Sequence, residues 1–197
     1  MSSVMTTESS YTQLHQQINS APGDVMAIPL SANELTAELQ AHGLAFLVGS
    51  LPAPSTPRLS SVKLLADLAQ QQDARLRASL IALFLSNAAA TDAVPVALSQ
   101  LDDETQMTLK VYYTAAVILQ DKHAERLRSL SPGWHPLPDL FSQELGLPTT
   151  GDPQMRLQQL GQLHHQVTGL AANWPGTYEY AALRLIRRLE KEALWTA

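Results

Sequence analysis

Residues 111–119 have the sequence VYYTAAVIL, and this stretch decides the fold. On an α-helix of about 3.6 residues per turn, its apolar and aromatic side chains point in every direction around the axis. A helix of this kind is buried on most sides. The acidic residues 102–104 before it and the basic residues after it match the helix dipole at both ends. The sequence therefore predicts a buried central helix over residues 103–128.

A faint internal repeat of 33 residues leads into this helix. The matched positions are Leu65, Leu68, Leu76 and Arg77 in the first copy and Leu98, Leu101, Leu109 and Lys110 in the second. In each copy a short helix ends in a polar segment and a longer apolar helix follows. Such helical hairpins are somewhat similar to units of a HEAT-type solenoid, although two copies cannot bury a solenoid core alone. Chance agreement in a Leu- and Ala-rich chain is the alternative. We expect an all-α fold, either an irregular bundle or a short stack of helical hairpins around the central helix.

The N-terminal third contains one clear helix signal. Ser31 and Glu34 form a capping box, because each side chain can satisfy a free amide at a helix start. This predicts a helix that ends near Gly43. The apolar residues 44–48 could form a strand or a helical turn, since so short a run has no decisive periodicity. Residues 25–28 could also form a small strand.

A proline-rich stretch divides the chain. Pro52, Pro54 and Pro57 are typical of a linker. Residues 1–57 contain four acidic residues and no Lys or Arg, whereas residues 58–197 carry thirteen basic and fourteen acidic residues. We therefore expect an acidic N-terminal arm with its capped helix over residues 1–57 and a main helical domain over residues 58–197.

Composition and targeting signals indicate the compartment. The chain has no cysteine, which excludes disulfides and thiolate metal sites. Its N-terminus lacks the basic and apolar regions of a secretory signal. The richest apolar run, residues 111–119, is far shorter than a membrane span. We expect a cytoplasmic protein that does not cross a membrane.

Further helices are predicted in the C-terminal part. A short helix over residues 138–145 should be closed by a glycine. Asp152 is a good N-cap for a helix over residues 153–172. Residues 174–176, Trp-Pro-Gly, should break the chain, and Thr177 should cap the last helix. One face of that helix is apolar, so it should dock on the rest of the protein.

Motifs for catalysis, metal and cofactor binding are missing. The nearest match to a phosphate-binding loop, residues 146–151, is followed by Asp152 and Pro153 where lysine and Ser or Thr are needed. His164 and His165 are adjacent, so they diverge by about 100° on a helix and do not ligate one ion easily. The acidic residues 102–104 are explained by their place at a helix start. We expect neither a metal nor a cofactor.

One surface feature suggests a binding role. Arg184, Arg187, Arg188 and Lys191 follow i, i+3, i+4, i+7 spacing on the last helix, opposite its apolar face. Four cations in one stripe can bind phosphates or an acidic partner. The alternative is an ordinary solvated face with cations near a helix C-terminus.

Three hypotheses for function follow. The leading one is a non-enzymatic protein-interaction module, an accessory or regulatory subunit whose partner is another protein or a second copy of itself. The second is an antitoxin-like or repressor protein that binds nucleic acid through the basic stripe, although the net charge of −5 does not favour it. The third is an enzyme with dispersed active-site residues. Its candidates are His123, Glu125, His164 and His165.

Overall fold

The computed structural model describes residues 30–44, 56–131 and 133–196. These residues form eight α-helices and one short 3-10 helix, Ala88–Ala93, and they contain no strand. The α-helices are α1 Ala32–Ala41, α2 Ser61–Ala69, α3 Ala74–Ser86, α4 Val94–Leu98, α5 Asp103–Lys122, α6 Ala124–Leu130, α7 Pro153–Thr168 and α8 Trp174–Thr196. The prediction of an all-α fold is confirmed. Of the two candidate strands, residues 25–28 lie outside the described residues, and only Leu44 of the second lies within them.

The N-caps predicted at Ser31 and Asp152 are present, and Asp102 caps the central helix. The Ser31 hydroxyl accepts the Glu34 amide at 3.3 Å, and the Glu34 carboxylate accepts the Ser31 amide at 2.9 Å. Asp102 accepts the Thr105 amide at 2.8 Å at the start of α5. Asp152 accepts two amides at the start of α7. These short side chains satisfy amides that have no partner within the helix, so they set where each helix begins.

Helix α5 forms the centre of the bundle. All residues from Val111 to Gln120 are buried, and α5 packs against α2, α3, α7 and α8. It ends at Lys122, so the predicted end at residue 128 is wrong. His123 leaves the helical conformation with φ −113° and ψ 18°, and α6 follows it and packs against α8. Leu127 of α6 is fully buried in the core.

The helices before and within the centre form two hairpins. A short helix precedes a longer one in both α2–α3 and α4–α5. Helix α2 lies against α4, and α3 lies against α5. Helices α7 and α8 close the other side of α5. Each hairpin thus covers the apolar face of the other.

Helix α1 shares the same hydrophobic core. Leu35 and Leu39 are fully buried in one cluster with the side chains of α2 to α8. The buried carboxylate of Glu38 accepts the backbone amides of Arg58 at 3.0 Å and Leu59 at 3.3 Å. The chain on either side of the proline-rich stretch is therefore held together by α1.

The predicted helix over residues 138–145 is wrong. Only a single turn forms there, closed by Gly146 at φ 69°. The preceding segment is not helical, and its backbone bonds to α5 instead of to itself. The buried Gln120 side chain accepts a hydrogen bond from the Leu137 backbone N–H at 2.6 Å through Oε1. Through Nε2 it donates one to the Leu137 carbonyl at 2.8 Å. The Tyr113 hydroxyl donates to the Pro138 carbonyl at 2.8 Å.

Two helix ends differ from the prediction. Helix α7 ends at Thr168, four residues early, because Gly169 adopts a left-handed conformation with φ 66°. Helix α8 begins at Trp174 and not at Thr177. Asn173 accepts the Gly176 amide at 3.0 Å and so acts as the cap. Pro175 fits the first turn because the amide it lacks would have no partner there.

Taken singly, none of the described helices has the length and apolar character to cross a membrane. Residues 74–86 and 88–98 together meet those criteria, but they are bent by 119° at the break between them.

Candidate interaction surface on the last helix

A buried aromatic cluster fixes α8 against α7 and α5. His164 Nδ1 and the Tyr178 hydroxyl share a hydrogen bond of 2.7 Å. The His164 ring stacks on Trp174 with 3.7 Å between ring centroids, and Tyr112 packs edge-on against it. Three of these side chains are at most 3 % exposed and Tyr178 is fully buried. The cluster holds the start of α8 in one position.

The ionisation of this cluster follows from its burial. Burial, and secondarily the Arg77 charge, lowers the pKa of His164 to about 4. Burial likewise raises the pKa of Tyr178 and of Tyr112 above the ordinary tyrosine value. All three groups are therefore neutral at pH 7, as buried groups without a compensating opposite charge should be.

The four candidates for a dispersed active site do not converge. His164 is buried in the cluster, and the adjacent His165 points to solvent and bonds to the Leu170 carbonyl at 2.9 Å. His123 bonds to Glu179 at 2.8 Å where α5 meets α6. His123 and Glu125 line one open depression there, away from His164. Among the described parts of the chain, no three His, Asp or Glu side chains are grouped so that they could hold a metal ion.

The four residues of the predicted basic stripe differ in their contacts and in their exposure to solvent. The Arg188 side chain donates a hydrogen bond to the Glu192 carboxylate at 2.7 Å and lies beside Gly43, just after the end of α1. Arg184 lies over the Tyr180 ring at 5.6 Å from its centroid. Arg187 and Lys191 are exposed, and neither forms an ion pair with another described residue. That the stripe binds phosphates or an acidic partner stays a prediction.

Exposed aromatic and apolar side chains extend the stripe at both ends. Tyr180 is 58 % exposed, Leu194 is 77 % exposed and Trp195 is 88 % exposed. Trp195 follows Lys191 by four residues and therefore lies on the same side of the helix. We name this surface the α8 outer face and define it by Tyr180, Arg184, Arg187, Lys191, Leu194 and Trp195. Its apolar members were not predicted from the sequence, although their position opposite the buried face of the helix could have revealed them.

A groove borders the outer face. It lies between α3 and α8 and has a volume of about 260 Å³. Small side chains form most of its lining, with Tyr180, Arg75 and Arg184 also contributing. The small lining residues are Ala74, Ala78 and Ser79 on α3 and Thr177 and Ala181 on α8. We name it the α3–α8 groove; it can accept apolar groups, and its two arginines can attract an acidic one.

Comparisons with protein-family models, with curated proteins and with solved structures found no match for this chain.

Proposed function

We propose that this chain is a non-enzymatic protein-interaction module, an accessory or regulatory subunit that binds an acidic segment of another protein on the α8 outer face. The observation that carries this proposal is the exposure of Trp195, 88 %, directly beside Leu194 at 77 %. Grouped exposed apolar side chains are typical of interaction sites. Tryptophan is also among the residues that contribute most to binding energy at interfaces.

The charge of the outer face indicates the chemistry of the partner. Arg187 and Lys191 are exposed within about two helical turns of Trp195. Carboxylates on a partner would pair with these cations at the rim while its apolar side chains cover Trp195. Such charge complementarity speeds association and selects the partner.

The rigidity of α8 supports the same proposal. Its first turns are fixed by His164, Trp174 and Tyr178, and Leu185 and Ile186 are buried farther along. A helix that is already ordered loses little conformational entropy when a partner binds. Binding energy from the exposed side chains is therefore not spent on folding the helix.

Nucleic acid is the less favoured partner. Glu190 and Glu192 lie on the same helix as the cations, and the whole chain has a net charge of −5. Each phosphate contact needs its own cation, and nucleic-acid affinity depends on several such contacts. The few cations of the outer face suit a short acidic peptide better.

Site-specific photo-crosslinking tests the proposal. A photo-reactive amino acid replaces Trp195, and in the control it replaces Val96, which is 51 % exposed on α4. In cells of the organism that makes the protein, position 195 should crosslink one protein stoichiometrically, and position 96 should not. Equal crosslinking at both positions, or none at 195, would contradict the proposal.

Binding measurements with the captured protein then test the residues. If Trp195 is the central contact, Trp195→Ala should reduce the binding free energy by about 2 kcal/mol, which raises the dissociation constant roughly thirtyfold. Arg187→Glu with Lys191→Glu should weaken it at least about tenfold, whereas Arg187→Lys with Lys191→Arg should retain affinity. The same variants are titrated with single-stranded and duplex oligonucleotides. Oligonucleotide binding that depends on these residues and falls steeply with salt would replace the protein partner by nucleic acid.

A further inference from the structure

The α3–α8 groove is continuous with the α8 outer face. Tyr180 and Arg184 belong to both, since they line the groove and are members of the outer face. A partner that covers the outer face therefore also reaches the groove. The groove volume of about 260 Å³ lies below the roughly 300–1,000 Å³ of sites that enclose a small molecule. The groove thus fits a single large side chain of a partner better than a free ligand.

The buried part of the groove lining is apolar. Ala78 and Ala181 are at most 8 % exposed, and each presents only a methyl group to the groove. The Ser79 hydroxyl donates to the Leu76 carbonyl at 2.5 Å. The Thr177 hydroxyl likewise donates to the backbone carbonyl four residues before it, at 3.0 Å. Because both hydroxyl protons already have acceptors, this part of the groove suits an apolar group.

The polar groups with which the groove can bind are cationic. Arg75 and Arg184 line it from α3 and α8, and none of the described residues in the lining is acidic. The Arg75 side chain is exposed and forms no ion pair with another described residue. Asp73, the acidic residue nearest to it in the sequence, accepts the Arg75 backbone N–H at 2.8 Å as the cap of α3. Because guanidinium groups bind carboxylates through two parallel hydrogen bonds, the groove favours an apolar side chain accompanied by a carboxylate.

We infer that the acidic segment of the partner inserts one large apolar side chain into the α3–α8 groove and pairs a neighbouring carboxylate with Arg75 and Arg184. This inference rests on the proposed function, because the segment is the one that binds the α8 outer face. It adds a requirement on the partner sequence: an acidic residue within about three positions of a large aliphatic or aromatic residue, since three residues span at most about 10 Å.

Crosslinking from the groove tests which segment lies there. A photo-reactive amino acid replaces Ala74, an exposed residue of the groove, and in the control it replaces Gln159 on the exposed side of α7. Position 74 should capture the same protein as position 195, and position 159 should not. Mass spectrometry of the crosslinked peptide should show a large apolar residue with an acidic residue within about three positions. A crosslink to a second copy of this chain, to another part of the same chain, or to a peptide without an acidic residue would overturn the inference.

Substitutions in the groove separate this inference from the proposed function. Ala74→Trp should fill the groove and raise the dissociation constant of the captured protein at least about tenfold. Gln159→Trp, the matched control on α7, should leave it within about twofold. If Trp195→Ala weakens binding and Ala74→Trp does not, the proposed function stands and the inference is wrong. If neither substitution weakens binding, both are wrong. Circular dichroism of each variant verifies that the helices are retained.

A double-mutant cycle tests the carboxylate. The acidic residue of the crosslinked peptide is replaced by its amide in the captured protein, and both forms are titrated with Arg75→Ala. This substitution at an exposed position should weaken binding of the acidic form at least about threefold more than binding of the amide form. Arg58→Ala, at an exposed position close to α1, should not distinguish the two forms. Equal losses with Arg75→Ala for both forms would show that the carboxylate does not pair with Arg75 and would overturn the inference.

Discussion

Gln120 and His164 are buried polar side chains whose partners lie far away in the sequence. Gln120 hydrogen-bonds to the backbone amide and carbonyl of Leu137. His164 hydrogen-bonds to the Tyr178 hydroxyl. A buried polar group costs stability unless it is hydrogen-bonded. Each side chain therefore ties a neighbouring segment to the core and at the same time satisfies its own polar atoms.

Gln120→Leu should lower the free energy of unfolding by about 2–4 kcal/mol. The substitution introduces an apolar side chain of similar size but leaves the Leu137 amide and carbonyl buried without partners, at roughly 1–3 kcal/mol for each group. Urea unfolding at pH 7 measures the change. Gln159→Leu on the exposed side of α7 is the control and should change stability by less than about 0.5 kcal/mol. Equal effects of the two substitutions would show that residues 134–140 are not held by Gln120.

His164 should make the protein less stable as the pH falls from about 6.5 to 4. Burial lowers its pKa in the folded protein to about 4, whereas an unfolded chain has a histidine pKa of about 6.5. The unfolded state therefore binds more protons within this window, and stability is lost as the pH decreases through it. Above pH 6.5 the histidine adds no pH dependence.

The measurement compares wild type with His164→Gln. Between pH 7 and pH 5 the wild type should lose about 2 kcal/mol more stability in urea unfolding than the variant loses. Glu34 and Asp102, whose pKa values are lowered by hydrogen bonds at helix starts, act below this range and equally in both proteins. Identical pH profiles would show that the pKa of His164 in the folded protein equals that of a histidine in the unfolded chain.

At the scale of helices, the close approach of α7 and α8 occurs at Gly161. A Cβ atom there would lie 2.7 Å from Pro175 Cδ and 3.3 Å from Trp174 Cβ. Glycine is a poor helix former, so local preference alone would favour alanine. The contact with the first turn of α8 explains the glycine, and it also places Trp174 against His164.

Gly161→Ala should destabilise the protein by about 1–3 kcal/mol in spite of its better helix propensity. The added methyl group has no room, and overpacking forces the two helices apart. Thermal and urea unfolding report the change, with Gln162→Ala on the exposed side of α7 as a neutral control. Gly161→Ala combined with Pro175→Ala removes the ring atoms in the way, so the two substitutions together should cost less than the sum of their separate effects. Simple additivity would contradict the close contact.

Several helix signals in the sequence were sufficient because they act locally. Ser31, Asp102 and Asp152 cap the helices that were predicted to begin there. The predictions failed where a distant residue decides. Helix α5 ends before His123, and Leu127 beyond it is buried in the core. Gln120 bonds to the backbone of Leu137, whose segment is not helical. No periodicity within those segments contains this information.

For the molecule as a whole, α5 is surrounded by α2, α3, α7 and α8, as the apolar stretch predicted. The basic stripe was predicted from spacing alone, but its separation into Arg188 beside α1 and the exposed Arg187 and Lys191 depends on how α8 docks. The α3–α8 groove could not be predicted either, since its two walls are about 100 residues apart in the sequence. The proposed function rests on the outer face of α8 and therefore on the packing of that helix.

The sequence by itself determined the all-α class, the buried centre at residues 111–119 and the starts of α1, α5 and α7. These properties depend on side-chain periodicity and on hydrogen bonds between residues three or four apart, so a short window contains them. Only the tertiary structure decided the non-helical course of residues 134–140, the neutral His164 and the exposure of Trp195. Each of these depends on which distant groups share one environment, because burial and hydrogen-bond satisfaction are properties of the packed chain.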